Sequence, residues 1–256
     1  MFSRAGELPP CGLFTRGHFI LLGVTILCII VALHYTKNKD KKSVYKIIRN
    51  LTILVCIMEV IKIVFSIMAN PWWAVNTYLP LYYCSMLIYA GLMSSFGKGK
   101  IKRIGDVFLS TGSIVGGIIF VLFPSTSLPT YPAFHIFSIH SFIFHGIMIY
   151  LGLLLNITNY IDLKKDDIKY FMVLVGMLCA IALPINYIFH SNLMFISQDA
   201  PGTPVSILYN LTNGSFIFNL IMIIGQMTLP FYIVFYFKKL YLKTHVNSIK
   251  DTQVTV

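Results

Sequence analysis

The 256-residue chain is 57% hydrophobic and 11% charged, with a mean hydropathy of +0.77. A soluble domain is about 25% charged, so the composition excludes one and points to an all-α, polytopic membrane protein. The net charge of +11 does not indicate nucleic acid, because the basic residues lie in short loops between apolar runs, as membrane topology requires. Anionic lipid headgroups are the natural partners of such loops.

A crossing needs about 20 apolar residues. Seven runs qualify, at about 18–35, 47–68, 79–96, 104–123, 134–155, 169–189 and 216–237. They predict a single seven-helix transmembrane domain over 1–256, with a disordered polar tail at 245–256. Ahead of the first run stand Glu7 and Pro9-Pro10, with no small-residue cleavage site after it; this is not the pattern of a signal peptide.

The connections set the orientation. Lys37, Lys39, Lys41, Lys42 and Lys46 lie between runs one and two, and Lys98, Lys100, Lys102 and Arg103 between three and four. Lys164, Lys165 and Lys169 lie between five and six, and Lys238, Lys239, Lys243 and Lys250 follow seven. The loops at 69–78, 124–133 and 190–215 contain no Lys or Arg. The positive-inside rule then places the N-terminus outside and the C-terminus in the cytoplasm of a cell-membrane protein. Only Arg4 and Arg16 fall on the wrong side.

The Lys-free loops carry Trp72, Trp73, Tyr78, Tyr82, Tyr83 and Tyr131, which read as an interfacial aromatic belt. Gly112-x-x-x-Gly116 and Ser113-x-x-x-Gly117 allow close approach of another helix, within one chain or between two. Asn210-Leu-Thr and Asn213-Gly-Ser are glycosylation sequons that matter only in a glycosylating host. The five cysteines, Cys11, Cys28, Cys56, Cys84 and Cys179, form no CxxC, so neither a disulfide framework nor a zinc site is expected. No metal and no cofactor is called for.

Ionisable groups at membrane depth are costly and mark function by default. Glu59 and Lys62 stand at i, i+3 in run two, close enough to pair; the pair either neutralises itself in the bundle or orients a headgroup. His135, His140 and His145 in run five advance ~140° per step. They share no face, so at most one or two point inward and no three-His metal site forms. Cys84, Lys62, His140 and Asn186 all fall in the outer half of the bundle, and Gln226 lies mid-span in run seven. A thiol set beside a His or a cation becomes a nucleophile; otherwise a membrane Cys is a small apolar filler.

At these residues the chain resembles a family. Leu79-Pro80-Leu81-Tyr82-Tyr83-Cys84, Phe142-Ile143-Phe144-His145-Gly146, and Pro184-Ile185-Asn186-Tyr187 followed by Ser191-Asn192-Leu193-Met194-Phe195 are similar to the bacterial YwaF-type integral membrane proteins. That group more distantly resembles the eukaryotic transmembrane protein 164 family, acyltransferases that move fatty acyl groups between phospholipids with a membrane cysteine. Met58-Glu59-Val60-Ile61-Lys62 resembles that family's Glu–Lys pair, and Cys84 falls where its catalytic cysteine stands. Ser85 follows Cys84 where the eukaryotic pattern has His, and Tyr83 precedes it where that pattern has Pro. The family's histidine matches either His140 or His145.

Two classes of function follow. As an enzyme, Cys84 attacks an acyl ester of a membrane phospholipid, His140 or His145 is general base and then acid, and Lys62, Asn186 or backbone N–H groups hold the oxyanion. Glu59 orients Lys62 or the His. As a non-catalytic protein, the chain binds or transports a lipid or small molecule, or acts as a receptor. Run seven offers no lysine for a retinal Schiff base, and no Asp-Arg-Tyr follows run three, where Ser94-Ser95-Phe96-Gly97-Lys98 stands.

Overall fold

A computed structural model describes residues 7–70 and 72–254, with backbone alone at 69 and from 244 onward. All regular structure among the described residues is helical. The long helices are α1 (Arg16–Thr36), α2 (Lys41–Ala69), α7 (Ile136–Ile157), α8 (Ile168–Phe189) and α10 (Phe216–Val254). Between them lie α3 (Val75–Tyr78), α4 (Met86–Phe96), α5 (Gly99–Ser110), α6 (Gly112–Leu122) and α9 (Pro204–Leu211). Counting Gly99–Leu122 as one rod, six helices among the described residues are long and apolar enough to cross a membrane.

Runs one, five and six match α1, α7 and α8 to within about two residues. Run two is longer than expected, because Lys41–Ala69 takes the lysines read as a loop into the helix. Run three is not a continuous helix. Leu79 to Leu81 are non-helical, 82–85 form a turn, and only Met86–Phe96 is helical, about 17 Å at 1.5 Å per residue against ~30 Å of hydrocarbon. Pro80 and the paired ring contacts of Tyr82 and Tyr83 hold the entry unwound (below). Run four breaks at Thr111 (φ −126°, ψ −74°). There Thr111 Oγ1 and Ser110 Oγ both donate to the Val107 carbonyl, at 2.6 and 3.0 Å. Hydroxyls bonding back to the turn compete with the helix ladder, and Gly112 follows directly. The last helix is drawn on to Val254, through the segment expected as a polar tail, with no Gly or Pro after Pro230 to stop it.

Small residues let α5, α6, α7 and α8 pack closely. A Cβ on Gly117 would lie 2.5 Å from Ile149 Cγ1, so α6 and α7 meet almost backbone to backbone. Phe108, Phe171 and Phe231 are fully buried and stack in sequence between α5, α8 and α10, with centroids 5.7 and 6.0 Å apart. α1 packs chiefly on α7.

The two ends differ in chemistry. At one end, Arg103 bonds Asp167 through Nε at 2.9 Å and the Asp162 carbonyl through Nη2 at 2.6 Å. Lys102 reaches Asp106 at 2.8 Å and Tyr160 OH at 3.0 Å, and Ser94 Oγ closes on the same carboxylate at 2.5 Å. The opposite end gathers the Lys-free loops. Cys11 N–H donates to Tyr131 O at 3.0 Å, Asn192 N–H to Asn76 Oδ1 at 3.0 Å, and Met194 N–H to Leu81 O at 3.1 Å.

Candidate functional site

The site begins with the segment that fails to be helical. Leu79-Pro80-Leu81 stays out of the helix because Pro80 has no N–H to give and disfavours helix in the residue before it. Its carbonyls are used elsewhere: Pro80 O accepts from Tyr89 OH at 3.0 Å and Leu81 O from Met194 N–H at 3.1 Å. Tyr82 packs on Phe195 with centroids 5.2 Å apart. Tyr83 is driven as a wedge into α6: a Cβ on Gly116 would stand 2.9 Å from its ring, and one on Gly112 2.8 Å from its hydroxyl. The glycine pair therefore makes room for a tyrosine rather than for a helix backbone. Cys84 sits on the turn between this wedge and the first turn of α4, half-buried.

Cys84 opens on a cavity of about 560 Å³, within the ~300–1,000 Å³ of small-molecule sites. Its walls come from α2 (Glu59, Lys62, Ser66), α6, α7 (His140, Ser141, His145) and α10 (Met222, Gln226, Pro230). Ile119, Phe120, Phe144, Met194 and Met222 give it an apolar surface, and the Lys-free loops give it a polar mouth. Tyr82, Tyr83 and Tyr131 line it too, so these three turn inward instead of joining the belt. Trp72 and Trp73 stay exposed. At the mouth, burial raises the Tyr131 hydroxyl above its ordinary 10.0, so it remains a neutral donor.

Glu59 and Lys62 pair at 2.6 Å, with side chains 6% and 22% exposed, as their spacing implied. The ammonium carries three donors, so two remain beyond the Glu59 bond. Lys62 shares the cavity wall with Cys84, His140 and His145.

The two histidines differ in how they are held. His145 Nδ1 lies 2.6 Å from the Ser141 carbonyl, which can only accept. The ring therefore carries its proton on Nδ1 and a lone pair on Nε2. The ring also stacks on Phe120 at 3.5 Å between centroids. His140 stacks on Phe144 at 5.9 Å and meets the Met58 backbone. Nε2 of each ring is buried with no hydrogen-bond partner, and so is Gln226 Oε1. The Gln226 amide is fixed by its Nε2 donating to Met194 O at 2.7 Å. A buried polar atom left open costs about 1–3 kcal/mol. With Tyr83 OH, also without a partner, four cavity-lining residues carry such an atom and mark places for a ligand's polar groups. His135 is elsewhere: it caps α7, accepting from Phe137 N–H at 3.2 Å.

Asn186 does not belong to this group. Its Nδ2 donates to Leu193 O at 3.0 Å and Ser197 Oγ at 2.8 Å, while its Oδ1 accepts from Ser191 Oγ and Leu193 N–H, both at 2.8 Å. The amide is spent stapling the 190–197 loop onto the end of α8, and it does not line the cavity. That loop in turn holds Leu81 and Gln226 through Met194, so Asn186 reaches the site only as a support. Among the described residues no cluster of His, Cys, Asp and Glu could hold a metal ion.

The TMEM164 family model matches residues 13–237. The chain belongs to the TMEM164 family. The matched region contains Glu59, Lys62, Cys84, His140, His145 and Asn186, and with six membrane-length helices this TMEM164 family member is a multi-pass membrane protein. No curated protein and no solved structure matches the chain.

The sequence grouped Lys62, Cys84, His140 and Asn186 in the outer half of the bundle; the structure sets Lys62, Cys84 and His140 on one cavity, brings His145 and Gln226 to it, and leaves Asn186 off it. It adds Tyr83 as the wedge. The glycine spacing announced a close contact but not its aromatic partner, since helix-packing motifs do not name what enters the groove.

Proposed function

We propose that this TMEM164 family protein is a cysteine-dependent acyltransferase drawing acyl groups from membrane phospholipids, as a YwaF-type member in the cell membrane. The observation carrying this reading is the shared cavity: one thiol, one cation and two unpartnered imidazole nitrogens meet where an apolar surface gives way to a polar mouth. That boundary suits a lipid ester, whose chain is apolar and whose headgroup is wet.

Cys84 sulfur attacks the ester carbonyl while its proton passes to a histidine Nε2. We assign this base to His145, whose tautomer is fixed by Ser141 O; His140 supports the same proton. The free donors of Lys62 hold the oxyanion. Collapse breaks the ester C–O bond, the departing alcohol takes the proton from histidine, and the acyl group stays on sulfur as a thioester. A second hydroxyl then attacks the thioester, gives its proton to histidine, and the proton returns to sulfur. Glu59 keeps Lys62 in place.

The topology proposed with it has seven crossings, the third made by the non-helical 79–85 followed by α4, with the N-terminus outside and the C-terminus cytoplasmic. The Lys-free cavity mouth then faces the outer leaflet. In the competing reading, lipid or small-molecule binding or transport without chemistry, the neutralised Glu59–Lys62 pair is the centre of the site.

The test is intact-mass analysis of purified protein after incubation with phospholipid vesicles, comparing wild type with Cys84→Ser. A hydroxylamine-sensitive acyl adduct on Cys84, absent from the variant, is expected. No adduct on any cysteine would transfer the assignment to the binding reading.

A further inference from the structure

The short helix α9 buries no residue outright, yet it is held at both ends. At its start, Thr203 Oγ1 accepts from Val205 N–H at 3.3 Å and donates to Ala200 O at 2.7 Å. Pro204 takes the first helical position, where a missing N–H costs nothing. At its end, Thr212 Oγ1 donates back to Leu208 O at 2.8 Å. Asn213 (φ 51°) and Gly214 (φ 60°) then turn the chain through two left-handed residues, and Gly214 N–H donates to Tyr209 O at 2.9 Å. A Cβ on Gly214 would meet the Tyr209 ring at 2.5 Å. That ring packs edge-on against the buried Phe218 of α10, with centroids 5.1 Å apart. α9 is therefore fixed to the cavity wall through Thr203, Pro204 and Val205, which line it, and to the first turn of α10.

The faces of α9 then have definite directions. At about 100° per residue, Val205 and Tyr209 share the side toward the protein, and Pro204, Ile207 and Leu211 form the outward stripe. Ser206 and Asn210 make one edge, with Leu208 on the edge opposite. Ile207 is 64% and Leu211 77% exposed, while Val205, Leu208 and Tyr209 are half-buried. A helix on a water-facing surface turns its apolar stripe inward. Here apolar residues face both inward and outward, and the polar ones keep to a single edge. That arrangement suits a helix lying in the membrane plane, with protein on one side, acyl chains on the other and water along the Ser206–Asn210 edge. The adjoining surface has the same character. α10 is a membrane-length helix, and its first turns present Phe216, Ile217, Leu220 and Ile221 exposed.

We propose that α9 lies in the bilayer surface at the Lys-free end, with Ile207 and Leu211 among the acyl chains, and that it is the sill over which a bilayer phospholipid enters the cavity. The placement of α9 stands on its faces alone; its use as a sill rests on the acyltransferase reading. Pro204 joins the two, since it belongs to the outward stripe and also lines the cavity. A lipid lying against the stripe has its chains beside Ile207 and Leu211 and its headgroup at the Ser206–Asn210 edge. It meets the mouth already aligned, headgroup toward the polar loops and chain toward the apolar wall.

The experiment has two readouts on the full chain in lipid nanodiscs. For the placement, Leu211→Trp is made in a Trp72→Phe/Trp73→Phe background, which removes the two native tryptophans. Its fluorescence is expected to lose most of its intensity to phosphatidylcholine brominated near the top of the acyl chain, and little to aqueous iodide. Quenching by iodide alone puts the stripe in water. Shielding from both quenchers puts a second copy of the chain on it. Either result overturns the proposal. For the sill, the Ile207→Asn/Leu211→Asn variant changes only exposed side chains. It is expected to form the Cys84 adduct about tenfold more slowly from long-chain phosphatidylcholine in the disc, the order expected when two lipid-contacting apolar side chains become polar. From dihexanoylphosphatidylcholine added as monomer from water, its rate should match that of the wild type. Equal loss from both substrates, or loss from neither, rejects the sill. A wild type that forms no adduct overturns the acyltransferase reading and the sill with it, while the quenching still decides where α9 lies.

Discussion

The two ends of this bundle are both polar and use their polarity in opposite ways. At the basic end the buried charges close on one another: Arg103 holds Asp167 and the Asp162 carbonyl, and Asp106 receives Lys102 and Ser94. At the Lys-free end the polar atoms around the cavity are left open, at His140 Nε2, His145 Nε2 and Gln226 Oε1. A closed network rigidifies a structure, whereas an open one only makes sense with something to fill it. The difference separates charge that builds the protein from charge that waits for a ligand.

The widest effect should come from the open end. Cys84→Ser should remove acyl transfer and the thioester beyond ~1000-fold, with an unchanged melting temperature in detergent; transfer that persists breaks the comparison outright. Next, His145→Gln should cost roughly 100- to 10,000-fold in adduct formation, and His140→Gln less, because His145 is held by the Ser141 carbonyl at 2.6 Å and stacks on Phe120 at 3.5 Å between centroids, against 5.9 Å for His140 on Phe144. A larger loss at His140 would reverse the assignment of the base.

The closed groups should instead register as stability. Arg103→Ala leaves a buried Asp167 carboxylate unpaired and should cost about 2–3 kcal/mol, discounted for the 28% exposure of the arginine side chain. Asn186→Ala should cost a similar ~2–3 kcal/mol by unpinning the 190–197 loop, seen as a lowered thermal midpoint with per-molecule activity largely kept. Loss of chemistry without loss of stability at Asn186 would put it back in the site. Gly116→Ala forces a methyl toward the Tyr83 ring and should cost about 1–3 kcal/mol, with some loss of adduct because Cys84 moves with the wedge.

The smallest effect is acid fraying of α2. The Ser43 side chain holds the Asp40 carboxyl below its ordinary 3.8. A lowered carboxylate contributes its stability above the ordinary value and loses it as pH falls through the depressed one. Hydrogen exchange in the first turn of α2 should therefore quicken only below about pH 4, and Asp40→Asn should abolish that dependence.

What the sequence revealed depended on the range of the forces involved. Hydropathy and lysine placement are properties of whole segments, so runs one, five and six and the chemical contrast of the two ends were readable. The Glu59–Lys62 pair was readable because it is local to one helix. Run three misled because apolar content says nothing about a helix unwound by Pro80 and by the insertion of Tyr83 between distant glycines. Asn186 misled because a polar residue at the right depth looks the same whether its amide faces a cavity or a neighbouring loop; only the four bonds to Ser191, Leu193 and Ser197 decide it. That Cys84 and His145, 61 positions apart, line one cavity depends on how α2, α6, α7 and α10 are arranged, and no single segment encodes that.

α1 carries a consequence for biogenesis. Its main packing partner, α7, begins about 100 residues after α1 ends. At a synthesis rate of ~5–20 residues per second, the first helix waits roughly 5–20 s before the surface it docks on exists. During that interval it must be at home in the bilayer alone. Its composition fits the wait, with no Asp, Glu, Lys, Arg or His from Phe19 to Leu33 and apolar residues on every side. The helix is written for its temporary solvent first and for its neighbour second.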